Sequence, residues 1–288
     1  MSEDEARTHI EKLIWPNGAI CAYCSSKDVY KMEGQSVRAG LYRCRDCDQQ
    51  FSVTVNTVLH DTHLPLEKWI KAFHLMASSK KGISALQLQR QLGIGQYRTA
   101  WHLAHRIRLA MTCEPFAQKL SGTLEVDETY VGGKVRGQGC KAGWDNKTPV
   151  VSLVERGGKK RSFVMPKVTA KNLRAAVMDH VEAGAHIHTD EHKGYKNLKD
   201  GFKHGSVNHS AGQYVRRFKD GSHITTNSVE SSFALLKRGI MGSFHHVSRK
   251  HLHRYTAEFD FRWNERDAMD SERRDTAISK AGGKRLPY

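Results

Sequence analysis

The chain has 288 residues, enough for about two domains, and 39% of them are hydrophobic, which excludes a disordered chain. Lysine and arginine total 46 against 30 acidic residues, so the formal net charge is +16. Such an excess favours polyanionic partners, because each neutralised phosphate releases condensed counterions. A soluble protein that is basic for another reason is the alternative. No apolar run approaches the ~18 residues of a membrane span, and the acidic N-terminus lacks a signal core, so we expect an intracellular protein.

Four blocks of different character divide the chain, and we predict domain boundaries between them. Residues 1–58 contain paired cysteines, and residues 59–118 read as helical and basic. Residues 119–267 alternate between β-like and helical runs. The tail, residues 268–288, is charged, and we expect it to be loose.

The first block contains two C-x2-C pairs with nineteen residues between them. This spacing is typical of a four-cysteine zinc site. The predicted ligands are Cys21, Cys24, Cys44 and Cys47. Because thiolates would fill all four tetrahedral positions, we expect a structural Zn²⁺ that contributes folding energy. An iron site of the same geometry and two redox pairs are the alternatives, and Cys113 and Cys140 are interpreted as ordinary thiols.

The second block predicts three helices. Residues 66–76 have apolar side chains at helical spacing. A short helix from Ser84, closed by Gly93, and a second basic helix over 95–108 have the outline of a helix-turn-helix. In that arrangement the start of the second helix enters the major groove. The residues predicted to contact DNA are Gln96, Tyr97, Arg98 and His102. A small helical bundle with a glycine corner and no DNA-binding role is the alternative.

The third block predicts three strands, an amphipathic helix and a fourth strand. The strands span 123–131, 148–154, 161–165 and 185–190, and the helix spans 170–181. This is the order of the ribonuclease H-like fold. If the fourth strand lies beside the first, Asp127 and Asp190 become neighbours. Glu128 adjoins Asp127, but successive side chains on a strand point to opposite faces, so it is the weaker candidate.

A helix from about position 228 supplies a third acid. Asn227, Glu230 and Lys237 share one of its faces, apart from the apolar stripe. Glu230 can therefore complete a metal site while Lys237 points at bound phosphates. Each acid taken singly is more simply a solvated or salt-bridged surface group. Their joint placement on two strands and a helix favours a site for paired divalent metals that act on a phosphodiester.

Four stretches of the sequence resemble bacterial insertion-sequence transposases that have an N-terminal zinc ribbon, a group related to the eukaryotic Merlin elements. The stretches are 124–134, 190–195, 226–239 and 244–248. The resemblance implies a DDE-type catalytic domain on a ribonuclease H-like fold with two Mg²⁺ ions, for which Mn²⁺ can substitute. It also implies double-stranded DNA as the partner, both transposon terminal repeats and target DNA. Because the mechanism pairs two DNA ends, we expect a homo-oligomer on DNA, and we expect the protein in the cytoplasm, associated with the nucleoid.

By this resemblance Asp127 and Asp190 are the first two catalytic carboxylates. Glu230 is the third, with Lys237 seven residues further on. Parts of the group use asparagine in the third position, so Asn227 is the alternative. We favour Glu230, because a charged oxygen binds a hard cation better than an amide does.

The implied reaction is hydrolysis at the transposon end followed by attack of the freed 3′-hydroxyl on target DNA. Two other functions fit parts of the pattern. One is a DNA-binding regulator derived from a transposase, in which the acids are inert. The other is a nuclease that cuts without strand transfer.

Overall fold

The computed structural model describes residues 1–112, 118–133 and 147–287. The chain forms two compact units, of which one is Met1–Thr112 with Glu265–Tyr288 and the other is Cys113–Asn264. Cys113 and Cys140, interpreted above as ordinary thiols, lie outside the described residues, as does position 134 of the first transposase-like stretch. Within the described ranges, no helix has both the length and the apolar character that crossing a membrane requires.

The first unit combines a small sheet with helices. Its elements are α1 (Glu3–Ile14), β1 (Val29–Lys31), β2 (Tyr42–Cys44), β3 (Gln50–Phe51), α2 (Leu66–Ser78), α3 (Ala85–Leu92), α4 (Tyr97–Ala110) and, from the end of the chain, α8 (Asp270–Ser279). The strands β1, β2 and β3 form an antiparallel sheet in sequence order. Packing of α3 on α4, and of both on α2, makes a three-helix cluster.

The bounds of α3 follow from local signals in the sequence. The Ser84 hydroxyl accepts a hydrogen bond from the Gln87 backbone N–H at 3.1 Å, which satisfies one of the free donors of the first turn. Gly93 ends the helix with φ 57° and ψ 44°, a left-handed conformation that glycine adopts without steric cost. The predicted start and end of this helix are therefore confirmed.

The expectation of a loose tail is wrong for residues 270–279, which form α8. This helix packs against α1 and α2, and Ala277 and Ile278 have no exposed surface. Its acid Asp275 lies 2.9 Å from His9 of α1. The charged composition was misleading because a helix needs only a few apolar positions on one face in order to dock.

The second unit is a mixed α/β domain. Its elements are β4 (Thr123–Val131), β5 (Thr148–Glu155), β6 (Lys160–Val164), α5 (Ala170–His180), β7 (His186–Thr189), β8 (Lys203–Ser206), β9 (Val215–Arg217), β10 (His223–Thr225), α6 (Asn227–Gly239) and α7 (Leu252–Asn264). Five strands form one sheet in the order β6-β5-β4-β7-β8. Neighbours among β4, β5 and β6 are antiparallel, whereas β7 and β8 run parallel to β4.

Helices cover both faces of this sheet. On one face Leu124 and Val126 of β4 belong to the same buried cluster as Leu173 and Val177 of α5. On the other face Val150 and Val154 of β5 and Val131 of β4 pack with α6 and α7. Because side chains alternate along a strand, the odd-numbered positions of β4 from 125 to 131 lie on the α6 side.

Candidate active site and zinc site

The four predicted cysteine ligands converge at one point. Their sulfur atoms all lie within 4.8 Å of one another. The Sγ atoms of Cys21 and Cys47 are 3.6 Å apart, as are those of Cys24 and Cys44. A tetrahedron with Zn–S distances of about 2.3 Å places sulfurs about 3.8 Å apart, so the arrangement fits a single zinc ion. The same separations are too long for a disulfide bond, which joins sulfurs about 2 Å apart.

The zinc site lies against a very small apolar core. Cys44 and Phe51 are buried, and the rings of Trp15 and Tyr42 pack against them. The Tyr42 hydroxyl donates to Glu11 at 3.2 Å. A core of this size buries too little apolar surface to hold three short strands together, so the metal supplies much of the stability.

Two predicted acids lie near the ends of a pair of parallel strands. The register pairs Leu124 with Ile187 and Glu125 with His188. If this register is extended by two residues beyond its last pair, Asp127 lies opposite Asp190, the residue directly after β7. The sequence left open whether the fourth strand would lie beside the first, and the structure places it there.

The Asp127 carboxyl lies in a negative environment. Burial raises its pKa from the ordinary value of 3.8 to about 7, with further contributions from Glu128, Asp190 and Glu230. The acids predicted to hold metal therefore interact electrostatically. Among the described residues, however, only the cysteines form a group of three or more potential ligands within 4.8 Å. Like charges repel, and a hard cation among these oxygen donors would relieve that repulsion.

The Glu230 carboxylate is held by two neighbours. It accepts a hydrogen bond from the Thr226 hydroxyl at 2.8 Å, and His209 Nε2 lies 3.3 Å from the same oxygen. Asn227 and Lys237 lie on the same helix with exposed side chains. The choice between Glu230 and Asn227 as the third ligand stays a prediction.

A buried acid that the sequence analysis did not weigh connects β4 to α6. The Glu125 side chain has no exposed surface, and its carboxylate accepts from the backbone N–H groups of Ser228 at 2.6 Å and Val229 at 3.1 Å. Arg156 lies 3.2 Å from it. Glu125 thus caps the helix that carries Glu230, two residues before Asp127 on the same strand face. The sequence feature that could have identified Glu125 is its position two residues before Asp127 in the same β-like run.

On the opposite strand face, Glu128 accepts a hydrogen bond from the buried Tyr195 hydroxyl. Burial raises the pKa of Glu128. Gly194 leaves room for this arrangement, because an added Cβ would lie 2.9 Å from Leu173 Cδ1. Packing contacts therefore account for Gly194 and Tyr195, two residues of the transposase-like stretch 190–195.

The predicted DNA-contacting residues lie at the start of α4. Gln96, Tyr97 and Arg98 are exposed, and His102 is half-buried. The later basic residues of the helix differ, since Arg106 and Arg108 are buried in the first unit. Only the first turn of α4 therefore presents a polar surface suited to a groove, and its contact with DNA stays a prediction.

We expect Asp127→Asn to stabilise the metal-free protein at neutral and alkaline pH. The folded-state pKa of about 7 exceeds the ordinary 3.8. The free energy of unfolding therefore falls as pH rises from about 4 to about 7 and stays low above that. Removing the charge should recover up to about 4 kcal/mol at about pH 8 and nothing near pH 4. Thermal unfolding in a chelating buffer, with exposed Asp179→Asn as the control, measures this; equal midpoints at about pH 8 contradict it.

We expect Glu125→Ala to lower the free energy of unfolding by about 2 to 4 kcal/mol. The change leaves Arg156 without its acidic partner and the first N–H groups of α6 without their acceptor. Exposed Glu182→Ala on the same unit should change stability by less than about 0.5 kcal/mol. Denaturant unfolding of both variants checks the difference, and similar midpoints for the two would show that the cap is dispensable.

Comparison with known families places the chain among the transposases. Residues 119–264, more than half of the 288, match the family described as ISXO2-like transposase domain. Residues 1–50 match the family described as transposase zinc-ribbon domain. The chain therefore belongs to the ISXO2-like transposase family. The predicted resemblance to zinc-ribbon insertion-sequence transposases is confirmed.

Curated proteins include no match to this chain. One solved structure that matches is the cryo-EM structure of the simian T-cell lymphotropic virus intasome in complex with PP2A regulatory subunit B56 gamma. The identity is 12%, the TM-score is 0.30, and the match covers 60% of this chain and 63% of that chain. A likeness at this level carries no argument about the mechanism.

Proposed function

We propose that this transposase binds the ends of its own DNA element, cleaves a phosphodiester there and joins the freed 3′-hydroxyl to target DNA. The proposed active site is Asp127, Asp190 and Glu230 on a ribonuclease H-like domain. The strand order β6-β5-β4-β7-β8 supports this fold, with the first three strands antiparallel and the last two parallel to β4. The observation that carries the proposal is the parallel β4–β7 register, which supports Asp127 and Asp190 as neighbours at the ends of adjacent strands.

The donor set fits two magnesium ions. Carboxylate oxygens are the ligands that Mg²⁺ prefers, and Glu128, Asp190 and Glu230 add to the rise that burial causes in the pKa of Asp127. When bound, paired Mg²⁺ ions supply activation of the attacking oxygen and stabilisation of the leaving 3′-oxygen. Asp127, Asp190 and Glu230 would together hold the metal ions. Thr226 and His209 hold the Glu230 carboxylate for that purpose, and Lys237 contacts phosphate.

The first unit supplies DNA recognition in this proposal. The exposed start of α4 reads the terminal repeat, and the formal charge of +16 provides the phosphate contacts. Joining an element requires that its two ends meet. We therefore propose that the active form is a homo-oligomer on DNA.

The test is strand transfer by the purified full-length protein. A duplex that carries the element's terminal repeat, taken from the DNA beside its coding sequence, is incubated with a plasmid target and Mg²⁺ or a chelator. Joined product that depends on Mg²⁺ is the expected result. Binding without cleavage would overturn the proposal in favour of a regulator, and cleavage without joining would favour a nuclease.

A further inference from the structure

A two-stranded ribbon lies directly before the helix that carries Glu230, and its first strand and turn are largely exposed, whereas Ile224 and Thr225 are buried. The strands β9 and β10 pair antiparallel and form a sheet of their own. One residue separates the end of β10 from the start of α6 at Asn227. The base of the ribbon is therefore fixed in the chain next to the candidate active site.

Contacts at this base involve the groups that position the acids. The ring of Tyr214, just before β9, meets the His209 ring edge-on with centroids 5.2 Å apart. His209 in turn lies 3.3 Å from the Glu230 carboxylate. Arg156, the partner of Glu125, donates to the His223 carbonyl of β10 at 3.4 Å. Tyr214 is thus one side chain away from a proposed catalytic acid.

The exposed surface of the ribbon, with Tyr214 at its base, is basic and aromatic. Tyr214 is 58% exposed and Phe218 is 41% exposed. Arg216, Arg217 and Lys219 are also exposed. The opposing acid of this segment is Asp220, and its carboxylate is engaged inside the turn, where it accepts from the Ser222 N–H and hydroxyl at 3.0 and 2.6 Å. The surface therefore presents positive charge and aromatic rings together.

Interleaved cations and exposed rings are suited to a nucleic-acid strand, because phosphates pair with the cations and bases stack on the rings. Inside a duplex both faces of each base are covered by its neighbours. A ring such as that of Tyr214 therefore stacks only on a base with a free face, either an unpaired base or the last base of a duplex end. The three cations against one engaged carboxylate give the charge complementarity that a polyanion needs.

We propose that the ribbon binds the DNA strand next to the reacting phosphate, with an unpaired base stacked on Tyr214. Arg216, Arg217 and Lys219 contact the phosphates that follow. This proposal rests on the proposed function, since it places the strand at the same site. The ligand of the ribbon is an unpaired nucleotide at the cleaved end. The acids alone do not specify this nucleotide.

The test measures binding to two DNA probes in an Asp127→Asn background, which prevents cleavage. One probe is a duplex with a short single-stranded extension that carries 2-aminopurine as its first unpaired base, and the other is the fully paired duplex. We expect tighter binding of the extended probe and quenching of the 2-aminopurine fluorescence. Tyr214→Ala should weaken binding of the extended probe by between about fivefold and about 100-fold, leave the paired probe unchanged and remove the quenching. Tyr214→Phe should retain all three properties.

The cations are tested by a triple variant in which Arg216, Arg217 and Lys219 become glutamine. It should weaken binding of both probes and make the slope of log affinity against log salt less steep by about 2 to 3. The matched controls, Met178→Ala and Lys171→Gln, change exposed residues of α5 and should behave as the parent. Unchanged probe preference and quenching in Tyr214→Ala would overturn the proposal. Absence of Mg²⁺-dependent joining by the unmodified chain is a separate failure, which removes the proposed function.

Discussion

Asp127→Asn is expected to reduce Mg²⁺-dependent cleavage and joining by more than about 100-fold, since changes to groups that merely support a metal ligand already cost about 10- to 100-fold. The amide keeps the shape of the side chain and can still accept the bond from the Glu128 backbone N–H. It removes the charge that a hard cation requires. The measurement is the initial rate of product formation on the terminal-repeat duplex with Mg²⁺.

The same variant separates catalysis from folding and from DNA binding. Metal-free Asp127→Asn should be at least as stable as the parent at neutral pH, and its affinity for the terminal-repeat duplex should be unchanged. The control is Asp179→Asn, which removes an exposed acid of α5 and should retain the full rate. A variant at position 127 that folds, binds and cleaves at the parental rate would eliminate this residue from the active site.

Glu230→Gln and Asn227→Ala distinguish the two candidates for the third ligand. If Glu230 binds metal, Glu230→Gln raises the Mg²⁺ concentration needed for half-maximal rate, whereas Asn227→Ala has little effect. The reverse pattern assigns the role to Asn227. Mn²⁺ titration of each variant measures the loss of affinity without relying on the rate.

Loss of the zinc site is expected to unfold the three-stranded sheet formed by β1, β2 and β3. Cys44 is fully buried among the few apolar side chains of that region. Structural zinc sites contribute apparent binding energies of about 10 to 16 kcal/mol, far more than a core of this size supplies. Cys44→Ala should therefore bind less than one zinc per chain, and proteolysis should cut within the first fifty or so residues. Chelation of the parent should reproduce both effects.

The matched control for this prediction is Cys140→Ser, which removes a thiol outside the C-x2-C pairs. It should retain one zinc per chain and the proteolytic pattern of the parent. Metal analysis and limited proteolysis of the two variants decide the point. If Cys44→Ala retained a full equivalent of zinc, the four-cysteine assignment would be wrong.

Local patterns were sufficient for several features of this chain. The cysteine spacing predicted a single metal site, because two C-x2-C turns can reach the same ion only in a few arrangements. Ser84 and Gly93 marked the ends of α3, since capping depends on residues within one turn. The alternation along β4 predicted that Asp127 and Glu128 would face opposite sides, because side-chain direction along a strand has a period of two.

Other features depended on contacts between distant parts of the chain. Glu125 and Ser228 are 103 residues apart, and nothing in the local sequence of either predicts that the carboxylate caps α6. Contacts between distant parts of the chain also explain why Arg106 and Arg108 are buried, why α8 docks and why the β9–β10 ribbon is largely exposed. Each depends on which surfaces the neighbouring elements cover.

The candidate active site depends on both local sequence patterns and tertiary contacts. Residue types and spacing were enough to select Asp127, Asp190 and Glu230 as candidates for a metal site, and the resemblance to insertion-sequence transposases implied their catalytic role. The pairing of β4 with β7 was needed to place the first two near the ends of neighbouring strands, and the contact of Glu125 with the first turn of α6 links β4 to the helix that carries the third. Local propensities act within a few residues along the chain, whereas strand register and helix docking arise from burial of apolar faces that are distant in sequence.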